Sequence, residues 1–292
     1  MKIEYVTKRF GVAALKVIAS ANAIIAEYEA QGFELTLRQL YYQFVSRDLI
    51  SNTQKEYKKL GAVINDARLA GLVSWTAIVD RTRNLEGNSH WNSPSDIIEG
   101  CAKQFQIDKW ATQEHRVEVW IEKDALVGIA ERICRQLDVS YFSCRGYTSQ
   151  SEMWAAGQRL KRFAQDHDQT PVIIHLGDHD PSGIDMSRDI ADRLELFMGG
   201  MEVNRIALNM NQVQKYGPPP NPAKITDSRA AKYIKLHGHE SWELDALDPK
   251  VLSNLIEKTV LSYRDDDKWE KALKLEQKHR KTLAQVAKEL NG

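Results

Sequence analysis

Cysteine is scarce in this sequence: Cys101, Cys134 and Cys144 are the only three in 292 residues, and no CxxC pair occurs. An odd, irregularly spaced set excludes a disulfide framework and a cysteine-based zinc site, and it fits a reducing cytosol. No apolar run approaches the roughly 20 residues of a membrane-spanning helix, and the start MKIEYVTKRF lacks the apolar core of a signal peptide. The expectation is a cytoplasmic protein with no membrane partner. Net charge is missing too: 40 lysines and arginines balance 40 aspartates and glutamates, so composition neither demands nor excludes nucleic acid. The chain carries no Walker motif and no internal repeat, so no part of it is expected to bind ATP.

What is present begins with helical periodicity. GVAALKVIASANAIIAEYEA, residues 11–30, places apolar residues on one face and is followed by Gly32 as a stop. Thr36 is a suitable N-cap for a second helix, LRQLYYQFVSRDL, and a third follows the polar break SNTQ as KEYKKLGAVINDARLAG. VSWTAIVD then reads as a short β element, ending in the charged turn RTRN. Helix, break, helix and small β element is the order of a winged helix-turn-helix, with the third helix as DNA reader and RTRN as wing. The polar stretch NLEGNSHWNSPSD, residues 84–96, is the linker candidate. These signals divide the chain into an N-terminal unit (1–95), an α/β unit (110–208) and a mainly helical C-terminal extension (209–292).

In the middle unit, RVEVWIEK, VSYFSC, PVIIHL and MEVNRIAL read as strands. They alternate with the helical segments DALVGIAERICRQL, QSEMWAAGQRLKRFAQD and GIDMSRDIADRLELF. Alternation of this kind predicts an α/β fold with a largely parallel sheet, because parallel neighbours need helical crossovers. Ligand sites in such sheets lie beyond the carboxyl ends of the strands. Glu122 ends the first strand, and Asp178 and Asp180 follow the third, so three carboxylates are expected at one sheet edge. Converging carboxylates repel one another unless a cation neutralises them, and an oxygen-only set favours magnesium, with manganese as the alternative. His179, between the aspartates, is expected to be a packed or solvated residue.

Glu122 in IEKDAL, followed by DHDPSG after an apolar strand, resembles the TOPRIM domain shared by topoisomerases, DnaG-type primases and several nucleases. The DxDPxG form is most similar to the A subunit of DNA topoisomerase VI and its relative, the meiotic double-strand-break transesterase. That family also carries a winged-helix (CAP-like) domain with an arginine shortly before paired aromatics. Here LRQLYYQF supplies Arg38, Tyr41 and Tyr42. The resemblance covers about residues 33–208; the chain is shorter than a typical A subunit and reads RGYTSQSEMW between the second strand and the next helix, so it is closest in kind to a reduced, stand-alone relative.

The resemblance implies a type IIB topoisomerase-like activity on double-stranded DNA. Tyr42 is the implied nucleophile, with Tyr41 as fallback, giving a 5′-phosphotyrosyl link. Arg38, at i−4, would stabilise developing charge, and Glu122, Asp178 and Asp180 would hold magnesium. It further implies a homodimer, in which one protomer's tyrosine works with its partner's metal site, a separate ATPase subunit, and a nucleoid location when bound to DNA. DNA contacts are expected from Lys55, Lys58, Lys59 and Arg68 on the third helix, Arg81 and Arg83 in the wing, and Lys123 beside Glu122. The alternatives are a TOPRIM nuclease that activates water, with packed tyrosines, and a non-catalytic DNA-binding subunit.

Overall fold

The computed structural model describes residues 2–79, 88 and 90–290. Three helices open the chain: α1 (Val12–Ala30), α2 (Leu37–Ser46) and α3 (Gln54–Leu69). Thr36 caps α2 in a reciprocal box, its Oγ1 accepting from Gln39 N at 3.3 Å while Thr36 N donates to Gln39 Oε1 at 2.9 Å. Thr53 caps α3 in the same position. The three helices close over a core that includes Ile24, Tyr28, Leu40, Phe44, Leu60 and Ile64.

VSWTAIVD does not form the expected β element among the described residues. Its backbone turns back on the helices instead: Val73 N donates to Ala67 O and Val79 N to Leu35 O, and only a single bridge, Leu35 to Ile78, has strand character. The β-branched residues that suggest a strand are spent on the helical core, where Val73, Ala77 and Ile78 are buried. Arg81 and Arg83, and with them the wing, lie outside the described residues.

The middle of the chain is a mixed α/β structure built on a four-stranded, wholly parallel sheet in the order β2-β1-β3-β4. Its strands are β1 (His115–Ile121), β2 (Ser140–Ser143), β3 (Thr170–Leu176) and β4 (Glu202–Ala207). They are joined by α5 (Val127–Gln136), α6 (Gln150–His167) and α7 (Pro181–Met198), the alternation expected from the sequence. Alternate residues of each strand serve opposite faces. Val117, Val119, Ile121, Val172 and Ile174 meet α5, whereas Trp120 and Ile173 meet Met153 and Leu160 of α6 and Met186 and Ile190 of α7. A core buried on both faces explains why these strands read as nearly unbroken apolar runs.

A helix that the sequence reading did not anticipate, α4 (Pro94–Gln104), starts inside the polar linker candidate and packs on the last helix. The chain from 209 onward forms α8 (Met210–Tyr216), α9 (Ala230–His237), α10 (Pro249–Ser262) and α11 (Asp266–Glu289), with a two-stranded ribbon of β5 (Asn221–Pro222) and β6 (Glu240–Ser241). Leu252, Ile256 and Val260 of α10 join the sheet core beside α5, so this segment helps to cover the sheet. Among the described residues no helix is long and apolar enough to cross a membrane.

Candidate functional site

The carboxyl ends of β1 and β3 bring Glu122 and Asp178 together. Glu122 Oε2 accepts a hydrogen bond from the backbone N of Asp178 at 2.8 Å. Asp180 is the N-cap of α7, its Oδ1 accepting from Gly183 N at 2.6 Å and from Ser182 Oγ at 3.0 Å. The turn between strand and helix is tight enough that a Cβ on Gly183 would stand 2.3 Å from Asp178 O, so only glycine serves there. Arg205, from β4, clamps the same turn by donating to the carbonyls of Gly177 (3.0 Å), Asp178 (2.6 Å) and Gly183 (2.9 Å). His179 points away and is packed: it is buried, its Nδ1 lies 2.8 Å from Tyr233 Oη, and burial lowers its pKa to about 4.

A second set of acids arrives from a segment far downstream. The residues around 240–248 run across the strand ends, where His179 and Trp242 exchange backbone hydrogen bonds. Leu244 N donates to Asp178 Oδ1 at 2.7 Å. Lys123 then becomes the centre of a buried ion cluster, with Nζ 2.6 Å from Glu243 Oε2, 3.0 Å from Asp178 Oδ2 and 3.1 Å from Asp245 Oδ1. Burial alone would lower the Lys123 pKa, but Asp245, Asp178 and Glu243 together hold it above the usual lysine range.

The same two acids reach the helical unit. Arg38 on α2 is ion-paired to Glu243 Oε2, and its Nε lies 2.8 Å from Asp245 Oδ2. Its guanidinium sits 5.8 Å from the centre of the Tyr42 ring. Tyr42 is buried, with Asn221 of β5 as a side-chain hydrogen-bond partner. Burial, then Asp245 and Glu243, push the Tyr42 phenol up to about 12, against the lowering effect of Arg38. Tyr41 packs edge-on against Tyr42, with ring centres 5.3 Å apart, and against Tyr57 on its other side, and its hydroxyl donates to Asn52 Oδ1 at 2.9 Å. The two rings touch, and of the two it is Tyr42 whose ring lies against the Arg38 guanidinium.

The donor set at the strand ends suits a hard divalent cation in chemistry and in charge. Its carboxylates are Glu122, Asp178, Asp180, Glu243 and Asp245, and the cations acting on them are Arg38, Lys123 and Arg205, which leaves negative charge in excess. Burial raises Glu122 above the usual carboxylate range and raises Asp178 to about 7, with Glu122 and Asp245 adding to the Asp178 shift and Lys123 opposing it. In this arrangement, however, no group of three or more His, Cys, Asp or Glu among the described residues is placed to hold a metal ion. The bonds already made explain this, since Asp178 gives one oxygen to Lys123 and the other to Leu244 N, while Asp180 turns an oxygen into its own helix.

The remaining sequence candidates are dispersed. Lys55, Lys58 and Lys59 lie exposed along α3, with Lys59 3.7 Å from Glu56. Arg68 is a packing residue here, donating to Trp75 O at 2.7 Å and stacking 4.8 Å from the Trp75 ring. Lys123 is half-buried, its ammonium held by Glu243, Asp178 and Asp245. Glu243, Asp245, Asn221 and Arg205 were not anticipated. WELDAL carries acids at alternate positions, the one cue available for Glu243 and Asp245. No protein-family model matches the chain, and no curated protein matches its sequence.

Proposed function

We propose that this protein cleaves double-stranded DNA by tyrosine transesterification, in the manner of the topoisomerase VI A subunit, with a winged-helix-type N-terminal unit and a TOPRIM-type sheet unit. The observation that carries the reading is convergence. Arg38, one turn before Tyr42, shares Glu243 and Asp245 with Lys123, and Lys123 in turn holds Asp178. Two motifs from separate parts of the chain thus end in one electrostatic unit.

In the proposed reaction the Tyr42 oxygen attacks a backbone phosphorus. The bond from phosphorus to the 3′ oxygen breaks, leaving a 5′-phosphotyrosyl link and a 3′ hydroxyl after that oxygen takes up a proton. A phenol raised to about 12 is a poor nucleophile at neutral pH. Arg38 supplies the nearest positive charge and stabilises the phenolate as its proton leaves. Magnesium, or manganese, held by Glu122, Asp178 and Asp180 would neutralise phosphate charge and anchor the strand. Lys123 has to release Asp178 for those carboxylates to act together. Lys55, Lys58 and Lys59 give sequence-independent attraction to phosphates. A homodimer would pair each tyrosine with the partner's carboxylates, and strand passage would need a separate ATPase subunit.

The test is to incubate the protein with supercoiled DNA and Mg2+, denature it, and look for protein joined to 5′ ends. Wild type forms the adduct, while Tyr42→Phe and Asp178→Ala do not. A hydrolytic nuclease is the second reading, favoured by the burial of Tyr42. Cleavage that survives Tyr42→Phe without adduct would select it. DNA binding with no cleavage under any divalent metal would leave a binding subunit.

A further inference from the structure

Glu243 stands out among the carboxylates around Lys123. A single oxygen, Oε2, receives both the Arg38 guanidinium and the Lys123 ammonium, the latter at 2.6 Å. Its side chain keeps 27% exposure, whereas Asp178 keeps 10% and Asp245 none. It is also redundant for charge balance. Without it, Arg38 still has Asp245 at 2.8 Å, and Lys123 still has Asp178 at 3.0 Å and Asp245 at 3.1 Å. A buried ion pair that loses one partner normally leaves an uncompensated charge, but here neither cation would be stranded. Glu243 is therefore an exchangeable anion between two fixed cations. Arg38, at 44% exposure and beside Tyr42, opens that position to an incoming ligand.

A phosphodiester presents one negative charge shared over two non-bridging oxygens, as a carboxylate does, and arginine and lysine accept either. We infer that Glu243 is a built-in stand-in for a DNA backbone phosphate: it occupies the Arg38–Lys123 position in the free chain and swings into solvent when the DNA phosphate takes its place. The exchange keeps both cations paired throughout. It also gives the free protein a self-inhibited arrangement, since the segment that carries Glu243 holds α2 against the strand ends and supplies the Leu244 N–H that caps Asp178. This inference rests on the DNA-binding part of the reading above and adds to it the competitor that DNA must displace.

The test measures binding, not cleavage. Anisotropy of a labelled short duplex in EDTA is read for wild type, Glu243→Gln, Glu243→Asp and the exposed control Glu270→Gln. Removing a carboxylate that competes for the position is expected to tighten binding by about threefold to tenfold. Glu243→Asp, which draws the carboxylate back by one methylene, gives a smaller gain in the same direction and covers the case in which the neutral variant folds poorly. Glu270→Gln has no effect, and adding Arg38→Gln to Glu243→Gln removes the gain. Binding that is unchanged or weaker in both Glu243 variants, or a gain that survives intact without Arg38, overturns the inference. If wild type binds DNA but forms no adduct, the cleavage reading falls, and the Glu243 variants still decide this one. If neither wild type nor variant binds, both fall.

Discussion

Two glutamates of the first strand region, Glu118 and Glu122, solve the problem of burial in opposite ways. Glu118 is 3% exposed and closed: Arg159 donates to Oε1 at 2.8 Å and to Oε2 at 2.9 Å, and Trp120 Nε1 donates to Oε2 at 3.0 Å. Each of its oxygens is bound, and its charge is matched by a guanidinium in fork geometry. Glu122, four residues on, has the Asp178 backbone N–H on one oxygen and further carboxylates as neighbours, and its pKa is raised by burial and by Asp180. A carboxylate matched one to one is architecture. A carboxylate at a strand end that shares Lys123 and Arg205 with other acids, instead of holding a guanidinium of its own, is where cation or phosphate chemistry belongs.

The contrast can be broken most forcefully on the structural side. Arg159→Met leaves Glu118 buried without its cation, and because Arg159 itself is 41% exposed the expected loss in urea unfolding is about 2 to 3 kcal/mol, below that of a fully buried pair, with no separate effect on DNA chemistry in the protein that remains folded. A third solution to burial is seen in His175 of β3, register partner of Trp120, which stays neutral: burial and Arg205 lower its pKa to about 3. The folded-state value lies below the unfolded one of 6.5, so the unfolded chain binds the extra proton. The stabilisation is complete above pH 6.5 and is lost as pH falls toward 3, at up to about 1.4 kcal/mol per pH unit. Difference curves of stability against pH between wild type and His175→Gln should isolate this slope, and parallel curves would refute it.

Tyr28 in α1 donates to Asp248 Oδ2 at 2.8 Å, tying the helical unit to the downstream segment that carries Glu243. Tyr28→Phe is expected to cost about 1 kcal/mol in thermal or urea unfolding. Tyr42→Phe removes a hydroxyl from a site where acids already oppose its ionisation, so its stability change should stay within about 1 kcal/mol while adduct formation disappears. A large loss of stability there would mark the Tyr42 hydroxyl as a structural hydrogen-bonding group.

The sheet was legible in the sequence because buried parallel strands leave apolar runs, and the segment DALVGIAERICRQL packs on it through Leu126, Ile129, Ala130, Ile133 and Leu137. Glu122 and Asp178 were legible because strand ends of such sheets converge. VSWTAIVD misled because β-branched residues can fill a helical core as readily as a strand. The α4 helix carried readable signals, Ser93 as cap and Pro94 at its first turn, hidden by the polar composition around them. Glu243 and Asp245 were not legible as site residues, since their partners Arg38 and Lys123 lie far away in the chain and the alternating acids of WELDAL name no partner.

The most direct measurement is to digest the trapped protein–DNA adduct and identify, by mass spectrometry, the peptide that bears the nucleotide. A phosphotyrosyl nucleotide on Tyr42 is expected. Modification of Tyr41 alone, or nicked DNA with no modified peptide, would contradict it.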